Sequence, residues 1–286
     1  MDIYGVIGYP IKHSLSPAMQ KAAFKKLGID ADYRLFEVRP EELENFLLNR
    51  KDVKGFNVTI PHKVRAKEIL EKRFPYNISD PYSLTVVLSG AVNTVKRVGD
   101  KIEYLNTDVS GFSYSIEKDL GFKTSEHKKS SVLILGCGGA ARAVMTDLQA
   151  SSGVSRIYAY DIDKGTAGAV QKSFSKLMVI SQEEIEAKIR ESKLLVNTTP
   201  VGMKEGDPSP IKKNLLREGL YVYDVVYNRE TQLVKDAKSQ GSKAVNGEGM
   251  LAAQGAFACS CWTGCKPVDV IDVMRKELDN ALGKKK

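Results

Sequence analysis

Asn57, Thr59 and Lys63 place an amide, a hydroxyl and an amine close together in the stretch KGFNVTIPHK. Between Phe56 and Ile60 every second residue is apolar, which predicts a strand with one buried face and with Asn57 and Thr59 on the other face. An amine beside such groups can donate a proton to an alkoxide or take one from a hydroxyl group. The end of this strand is therefore a candidate site for acid–base chemistry.

Other polar side chains stand at the ends of predicted strands and loops in the same part of the chain. Ser14 and Ser16 are two residues apart, so in extended chain both hydroxyls face the same way and could hold one carboxylate. Ser16 also precedes Pro17 and fits equally well as a helix N-cap. Asn93 and Asp108 follow further strand patterns, and each alone is typical of turns. Because ligands of α/β proteins bind beyond the carboxyl ends of strands, the set together favours one shared site.

A glycine-rich turn in VLILGCGGAARAV predicts a dinucleotide site. Gly136, Gly138, Gly139 and Ala140 lie between an apolar strand and the start of a helix, in a G-x-G-x-x-A pattern. In such a turn the glycines allow the backbone to approach a pyrophosphate, which the free N–H groups of the helix start then hold. Asp161 follows the next strand at about the 20-residue spacing that the dinucleotide fingerprint requires.

Strand-like and helix-like segments alternate along the chain and must position these groups. The first series begins with a strand at 2–8 and a helix that opens at Ser16 and Pro17 and closes at Gly28. A second series starts at Ser131, after the polar stretch KTSEHKKSS. This alternation predicts an α/β protein with two open α/β domains whose sheets are parallel.

Composition indicates an ordinary globular protein. The chain has 286 residues, 42% of them hydrophobic and 27% charged, with a net charge of +8 and no nucleic-acid-binding signature. The opening MDIYGVIG carries an acid at once and reaches a glycine too early for a signal peptide, and the longest uncharged stretch, 249–265, is too short to span a membrane. We therefore expect a cytoplasmic protein with neither nucleic acid nor membrane as a partner.

Three cysteines, Cys259, Cys261 and Cys265, form a C-x-C-x3-C cluster. No histidine or fourth thiol flanks them, and Cys261 and Cys265 would share one face of a helix. This pattern favours a packed core helix over a metal or redox site, so no metal site is expected.

Eight motifs taken in their order along the chain resemble the shikimate dehydrogenase family: HSLSP, NVTIPHK, GAVNT, NTD, GCGGAAR, NTTPVGM, DVVYN and GEGMLAAQ. The resemblance runs from Gly8 to Gln254 and continues into WTG. It implies a substrate-binding catalytic domain, residues 1–108 plus 250–286, and a Rossmann dinucleotide-binding domain, residues 109–249. The implied reaction is the reversible nicotinamide-dependent reduction of 3-dehydroshikimate to shikimate in aromatic amino-acid biosynthesis.

The resemblance also implies roles for individual residues. Lys63 and Asp108 correspond to the catalytic pair of the family. The substrate-binding positions are Ser14, Ser16, Asn57, Thr59, Asn93, Tyr227 and Gln254. The cofactor-binding positions are Gly136, Gly138, Gly139, Ala140, Asp161, Thr198, Val225 and Gly247.

The chain departs from the family pattern after the second strand of the dinucleotide domain. Asp161 and Asp163 stand where many members have an Asn-Arg-Thr motif for the extra phosphate of NADP. A carboxylate there can accept hydrogen bonds from the adenosine ribose and would repel a 2′-phosphate, so we expect NAD in preference to NADP. Lys164 is the nearest cation that could offset this repulsion, and Arg142 is a weaker candidate.

Two other functions stay open at this stage. An NAD-dependent quinate/shikimate dehydrogenase is a close enzymatic alternative, since quinate carries the same carboxylate and one more ring hydroxyl. A dinucleotide-binding sensor on the same fold is a non-enzymatic alternative, although it would not need Lys63 and Asp108. The sequence leaves open whether the protein is a monomer or a homodimer.

Overall fold

The computed structural model describes residues 1–76 and 81–284, and the chain divides into two compact units. The first unit comprises Met1–Gly111 and Ala252–Lys286, and the second comprises Phe112–Leu251. None of the described helices is long and apolar enough to cross a membrane.

The first unit is built on a five-stranded sheet. Its strands are β1 (Asp2–Gly8), β2 (Ala31–Glu37), β3 (Val53–Val58), β4 (Thr94–Val98) and β5 (Lys101–Leu105), in the order β2-β1-β3-β4-β5. β1 pairs in parallel with β2 and β3, whereas β4 is antiparallel to both of its neighbours. Only two residues, Gly99 and Asp100, separate β4 from β5. So short a connection permits only an antiparallel pair, and the first sheet is therefore mixed.

Five helices accompany these strands: α1 (Ser16–Leu27), α2 (Leu43–Asn49), α3 (Lys63–Arg73), α4 (Pro81–Ser89) and α5 (Thr107–Lys118). α1 begins at Ser16 and ends before Gly28, which has a φ of +65°, as the proline and glycine signals predict. The strand predicted to run through Ile60 ends at Val58 instead. His62 N–H donates to the carbonyl of Thr59 in a turn, and the Ile60 side chain is 74% exposed.

The second unit contains a six-stranded, fully parallel sheet. Its strands are β6 (Ser130–Leu135), β7 (Val154–Tyr160), β8 (Leu177–Val179), β9 (Ser192–Asn197), β10 (Tyr221–Asp224) and β11 (Lys243–Val245). The order β11-β10-β9-β6-β7-β8 reverses direction at β6, as in doubly wound dinucleotide-binding folds. The run Val132–Leu135 in β6 is buried throughout, which is typical of a strand covered on both faces. This arrangement confirms the predicted Rossmann domain.

Four helices connect these strands: α6 (Gly139–Ala150), α7 (Lys164–Gln171), α8 (Ile185–Glu191) and α9 (Gln232–Ser239). Two further helices, α10 (Glu248–Thr263) and α11 (Pro267–Ala281), follow β11.

Trp262 packs α10 against the sheet of the first unit. Its indole Nε1–H donates to the carbonyl of Val95 at 3.0 Å, and a Cβ placed on Gly55 would lie 2.5 Å from that nitrogen. Cys259 is buried in α10, as a core helix predicts. Cys265 lies beyond the end of the helix at Thr263, however, so the prediction that it shares a helix face with Cys261 is wrong.

Candidate active site

Lys63 and Asp108 form a close ion pair in the first unit. Lys63 is the first residue of α3, and its Nζ donates to Oδ2 of Asp108 at 2.6 Å. Asp108 lies in the first turn of α5, where the helix dipole favours a carboxylate. The Lys63 and Asp108 side chains are only 18% and 8% exposed, so solvent screens their attraction much less than at an open surface.

Asn93 fixes the orientation of the Asp108 carboxylate. Its Nδ2 donates to Oδ1 of Asp108 at 2.8 Å and to Oγ1 of Thr107 at 3.0 Å, so both amide hydrogens are used. Its Oδ1 accepts the backbone N–H of Thr107 at 2.7 Å. Asn106 adds a second restraint, because its Oδ1 accepts the backbone N–H of Asp108. Asp108 is thus held from two sides, with one oxygen left to face Lys63.

Asn57, near the end of β3, is almost fully buried. Its Nδ2 donates to the carbonyl of Asn93 at 3.2 Å and to Oγ1 of Thr94 at 3.0 Å, and its Oδ1 accepts the hydroxyl of Tyr33 at 2.7 Å. Both of its donors are therefore bound within the protein. A contact between Asn57 and substrate stays a prediction, and only an oxygen lone pair is left for it.

The two serines precede and begin α1. The residue at the N-cap is Leu15, and no side chain caps the helix, so the capping alternative for Ser16 is wrong. The Ser16 side chain lies near the hydroxyl of Tyr33 instead. Ser14 Oγ accepts the backbone N–H of Ser16 at 3.3 Å, which keeps the two serines close together.

Thr59 and Gln254 complete the first-unit positions that sequence analysis singled out, and His62 precedes Lys63 directly in the chain. Thr59 is half-buried, and its hydroxyl bonds to no residue in the described ranges, so it can bind a ligand. His62 is buried, with Nε2 at 2.7 Å from the carbonyl of Val38, and is not a surface residue. Gln254 is buried on α10. Tyr227 belongs to the second unit, where burial raises the pKa of its hydroxyl.

Sequence reasoning missed Tyr33 and Thr94 as members of this network. Thr94 directly follows Asn93 in GAVNT, so the motif itself carried a signal for it. Tyr33 lies in β2 within ADYRLFE, and nothing in that stretch distinguishes it from a core tyrosine.

The glycine-rich turn of the second unit has the shape that a pyrophosphate needs. Gly136 has a φ of +95°, which favours glycine. Gly138 is the N-cap of α6 and offers no side chain to the first N–H groups of the helix. A Cβ placed on Gly138 would meet nothing within 4 Å, so open space lies above the helix start. Gly139 and Ala140 supply the first two helical N–H groups there.

Three other predicted cofactor positions pack closely around this turn and the end of β10. Thr198 N–H and Oγ1–H both donate to the carbonyl of Leu135, and a Cβ on Gly136 would lie 2.6 Å from its Oγ1. Gly247 N–H donates to the carbonyl of Val226, and a Cβ on Gly247 would lie 2.1 Å from the carbonyl oxygen of Val225. Glycine at 247 is therefore required by the backbone of the protein itself.

Asp161 ties the end of β7 to the glycine turn. Its Oδ2 accepts the backbone N–H of Cys137 at 2.7 Å, and its Oδ1 accepts that of Asp163 at 2.8 Å. Asp163 in turn caps α7 by accepting N–H groups of Gly165 and Thr166. Both carboxylates are thus bound by their own chain.

Asp224, in the DVVYN motif, is fully buried at the end of β10. Its Oδ1 accepts Nδ2 of Asn197 at 2.9 Å and the N–H of Val226 at 3.1 Å, and its Oδ2 accepts Oγ1 of Thr231 at 2.6 Å. Burial raises the pKa of Asp224 to about 6, because these hydrogen bonds offset the loss of water only in part. The residue joins the ends of β9 and β10 to the N-cap of α9.

We expect Asp224 to make stability fall as pH rises. The folded state holds the proton more tightly than the unfolded chain, so the contribution is fully present below about pH 4 and is lost as pH passes the folded pKa of about 6. Two pKa units correspond to about 3 kcal/mol at most. The free energy of unfolding, measured with urea between pH 4 and 7, should show this decrease in wild type and not in Asp224→Asn. If the free energies of the two proteins change with pH in parallel, the prediction is refuted.

The comparisons with known proteins agree along the whole chain. The family model of the shikimate dehydrogenase substrate binding domain matches residues 6–95, and that of the shikimate 5′-dehydrogenase C-terminal domain matches residues 247–278. Shikimate dehydrogenase (NADP(+)) of Methanocella arvoryzae is 37% identical over 286 residues, which cover 99% of this chain and 100% of that relative.

Solved structures share the fold at similar identity. Shikimate dehydrogenase from Aquifex aeolicus has a TM-score of 0.82 and 36% identity, and the match covers 97% of each chain. Shikimate 5-dehydrogenase from Thermus thermophilus in complex with NADP(H) and shikimate has a TM-score of 0.81 and 32% identity, with 97% of this chain and 100% of that chain covered.

The expectation that NAD is preferred over NADP is wrong. The curated relatives carry NADP(+) in their names, and another solved relative of 33% identity is a shikimate dehydrogenase in complex with NADP+. The physical reason lies at Asp161, whose two oxygens accept backbone N–H groups of Cys137 and Asp163. A carboxylate so engaged holds the turn together, and its place after β7 does not by itself select a ribose hydroxyl over a 2′-phosphate.

The fold, the ion pair at the end of the NVTIPHK segment and the matches over nearly the full length lead to one conclusion: the chain belongs to the shikimate dehydrogenase family of NAD(P)-dependent oxidoreductases.

Proposed function

We propose that this protein is a shikimate dehydrogenase that uses NADP for the reversible reduction of 3-dehydroshikimate to shikimate, a step of aromatic amino-acid biosynthesis. The observation that carries the proposal is the Lys63–Asp108 pair, with 2.6 Å between Nζ and Oδ2, held by Asn93 in a member of this family. Its half-buried setting at the end of β3 is where a substrate of an α/β domain binds.

Lys63 and Asp108 supply the acid–base chemistry of the reaction. NADP(H) supplies or accepts the hydride. In the direction of reduction, the Lys63 ammonium stabilises the developing alkoxide and can return a proton to it. In the direction of oxidation, the same amine takes up the proton that the ring hydroxyl loses. Asp108 holds the lysine in place and balances its charge.

The remaining first-unit groups suit a hydroxylated carboxylic acid. Ser14 and Ser16 would hold the carboxylate, since the Ser14 hydroxyl lies beside the backbone of Ser16 and a carboxylate accepts two donors. Thr59 has a hydroxyl available for a ring oxygen. Asn57, Asn93 and Gln254 would line the ring, and Tyr227 is a further proposed substrate-binding residue.

The second unit fits a dinucleotide that carries an additional phosphate. The turn offers open space at Gly138, and the N–H groups that begin α6 would hold the pyrophosphate. Arg142, in the first turns of α6, is half-buried, and its guanidinium pairs with no residue in 1–76 or 81–284. Burial lowers the pKa of Arg142 because the charged guanidinium loses water, and an anion bound there would stabilise that charge. Together with exposed Lys164, Arg142 supplies the positive charge for a 2′-phosphate while Asp161 and Asp163 are bound to their own backbone.

The decisive experiment is a spectrophotometric assay of shikimate and quinate, each with NADP and with NAD. We expect the highest kcat/KM for shikimate with NADP. Dominant activity on quinate with NAD would instead support the quinate/shikimate dehydrogenase alternative. Dinucleotide binding by calorimetry, with no turnover of either acid, would support the sensor. Cell fractionation and size-exclusion chromatography test the proposed cytoplasmic location and the monomer or homodimer.

A further inference from the structure

Tyr33 lies between two groups of the proposed substrate site. Its side chain is 1% exposed, and its hydroxyl donates to Oδ1 of Asn57 at 2.7 Å. The Ser16 side chain lies near the same Tyr33 oxygen. A phenol has a single hydrogen, which Asn57 receives, so any hydrogen bond between the two hydroxyls can be donated only by Ser16.

The bonds beyond Tyr33 continue in one direction to the catalytic carboxylate. Each residue of the series donates a hydrogen bond to the next, with donor–acceptor distances of 2.7 to 3.0 Å. The series runs from Tyr33 to Asn57, from Asn57 to Thr94, from Thr94 to Asn93 and from Asn93 to Asp108. All of these residues are buried, and so is Ser16 at the other end. In a buried series with one consistent direction, each member fixes the orientation of the next.

We propose that Tyr33 is a positioning residue that holds Ser16 and Asn57 in the orientations that shikimate binding requires. The inference rests on the proposed function. Because the Tyr33 hydroxyl donates to Oδ1 of Asn57, it fixes the orientation of the Asn57 amide. Nδ2 is thereby kept directed at the acceptors on Asn93 and Thr94. The Tyr33 oxygen also offers the nearby Ser16 hydroxyl an acceptor until a substrate carboxylate takes its place.

The hydroxyl and the ring of Tyr33 can be separated experimentally, because the ring has its own packing role. Its centroid lies 6.0 Å from that of Trp262, a contact that phenylalanine would keep. Tyr4 is a matched control: it faces Tyr33 across β1 and β2, and it also contacts Trp262, at 5.3 Å. The Tyr4 hydroxyl makes no hydrogen bond to the part of the chain that the structure describes.

Tyr33→Phe should raise the KM for shikimate about tenfold, while kcat changes less than about threefold, as expected for loss of binding that is equal in ground and transition states. The KM for NADP should not change, because the glycine turn belongs to the other unit. Tyr4→Phe should leave the KM for both substrates unchanged. Thermal unfolding of both variants gives the stability baseline.

An unchanged shikimate KM in an active Tyr33→Phe enzyme would overturn the inference, and so would equal effects of the two tyrosine variants. A wild type that does not turn over shikimate would instead refute the proposed function, with which the inference falls. Should Tyr33→Phe fail to fold, Thr94 provides the second test of the series. Thr94→Val should raise the KM for shikimate, whereas Thr94→Ser, which keeps the hydroxyl, should have a KM close to that of wild type. Equal KM values for the two variants would count against the inference.

Discussion

Lys63→Ala should lower kcat for shikimate oxidation by about 10²–10⁴-fold, the usual contribution of a general acid–base group. The variant removes the amine that lies 2.6 Å from Oδ2 of Asp108, and the carboxylate keeps its hydrogen bond from Asn93 at Oδ1. NADP binding, measured by calorimetry, should be nearly unchanged, since the glycine turn lies in the second unit.

Lys67→Ala is the matched control for this experiment. Lys67 lies one turn further along α3 and pairs with Glu71 at 2.7 Å, so its loss also breaks an ion pair on the same helix. Its kcat should stay near that of wild type. Asp108→Asn should slow the same step as Lys63→Ala, and the double variant should lose less than the product of the single losses. A Lys63→Ala enzyme that keeps most of its turnover would exclude Lys63 from the chemistry.

The fold was largely predictable because its strongest signals are local. The apolar run of β6, the glycine turn and the start of α6 are contiguous in sequence, and together they require a Rossmann arrangement. β8 and β11 carry no such signal, because each has only three residues and owes its place to pairing with a neighbouring strand. Tertiary pairing of this kind does not show in local periodicity.

The convergence of Lys63, Asn93 and Asp108 was predictable, and the geometry of their hydrogen bonds was less so. Lys63, Asn93 and Asp108 stand at strand or helix ends, and this common position led to the expectation that they converge. The directions of their hydrogen bonds depend on partners distant in the chain. Tyr33 reaches Asn57 across 24 residues, and no spacing rule connects β2 to that amide.

Asp161 shows how a correct position can lead to a wrong chemical conclusion. It does follow β7 where the dinucleotide fingerprint places an acid, and that pattern favoured NAD. Its oxygens, however, accept N–H groups of Cys137 and Asp163. The competition between a ribose hydroxyl and a backbone N–H is decided by loop geometry, which the sequence does not contain.

Two glycines of the second unit should respond in opposite ways to the same added methyl group. Gly138→Ala places its Cβ in open space, with backbone angles that alanine adopts freely, so the free energy of unfolding should change by less than about 0.5 kcal/mol. That space is where a pyrophosphate must approach the helix start, so the Kd for NADP should rise about tenfold or more.

Gly247→Ala should instead destabilise the second unit. Its Cβ would lie 2.1 Å from the carbonyl oxygen of Val225, far inside contact distance, and backbone must move to admit it. Such overpacking costs about 1–3 kcal/mol, which lowers Tm by about 3–12 °C for a unit of this size. Thermal unfolding without cofactor and calorimetry with NADP, both applied to both variants, separate the two roles. If Gly247→Ala unfolds like wild type and loses only NADP binding, then Gly247 serves the cofactor directly. A drop in Tm for Gly138→Ala with unchanged NADP affinity would mean that the turn is closed by its own packing, and the dinucleotide site would have to lie elsewhere in the second unit.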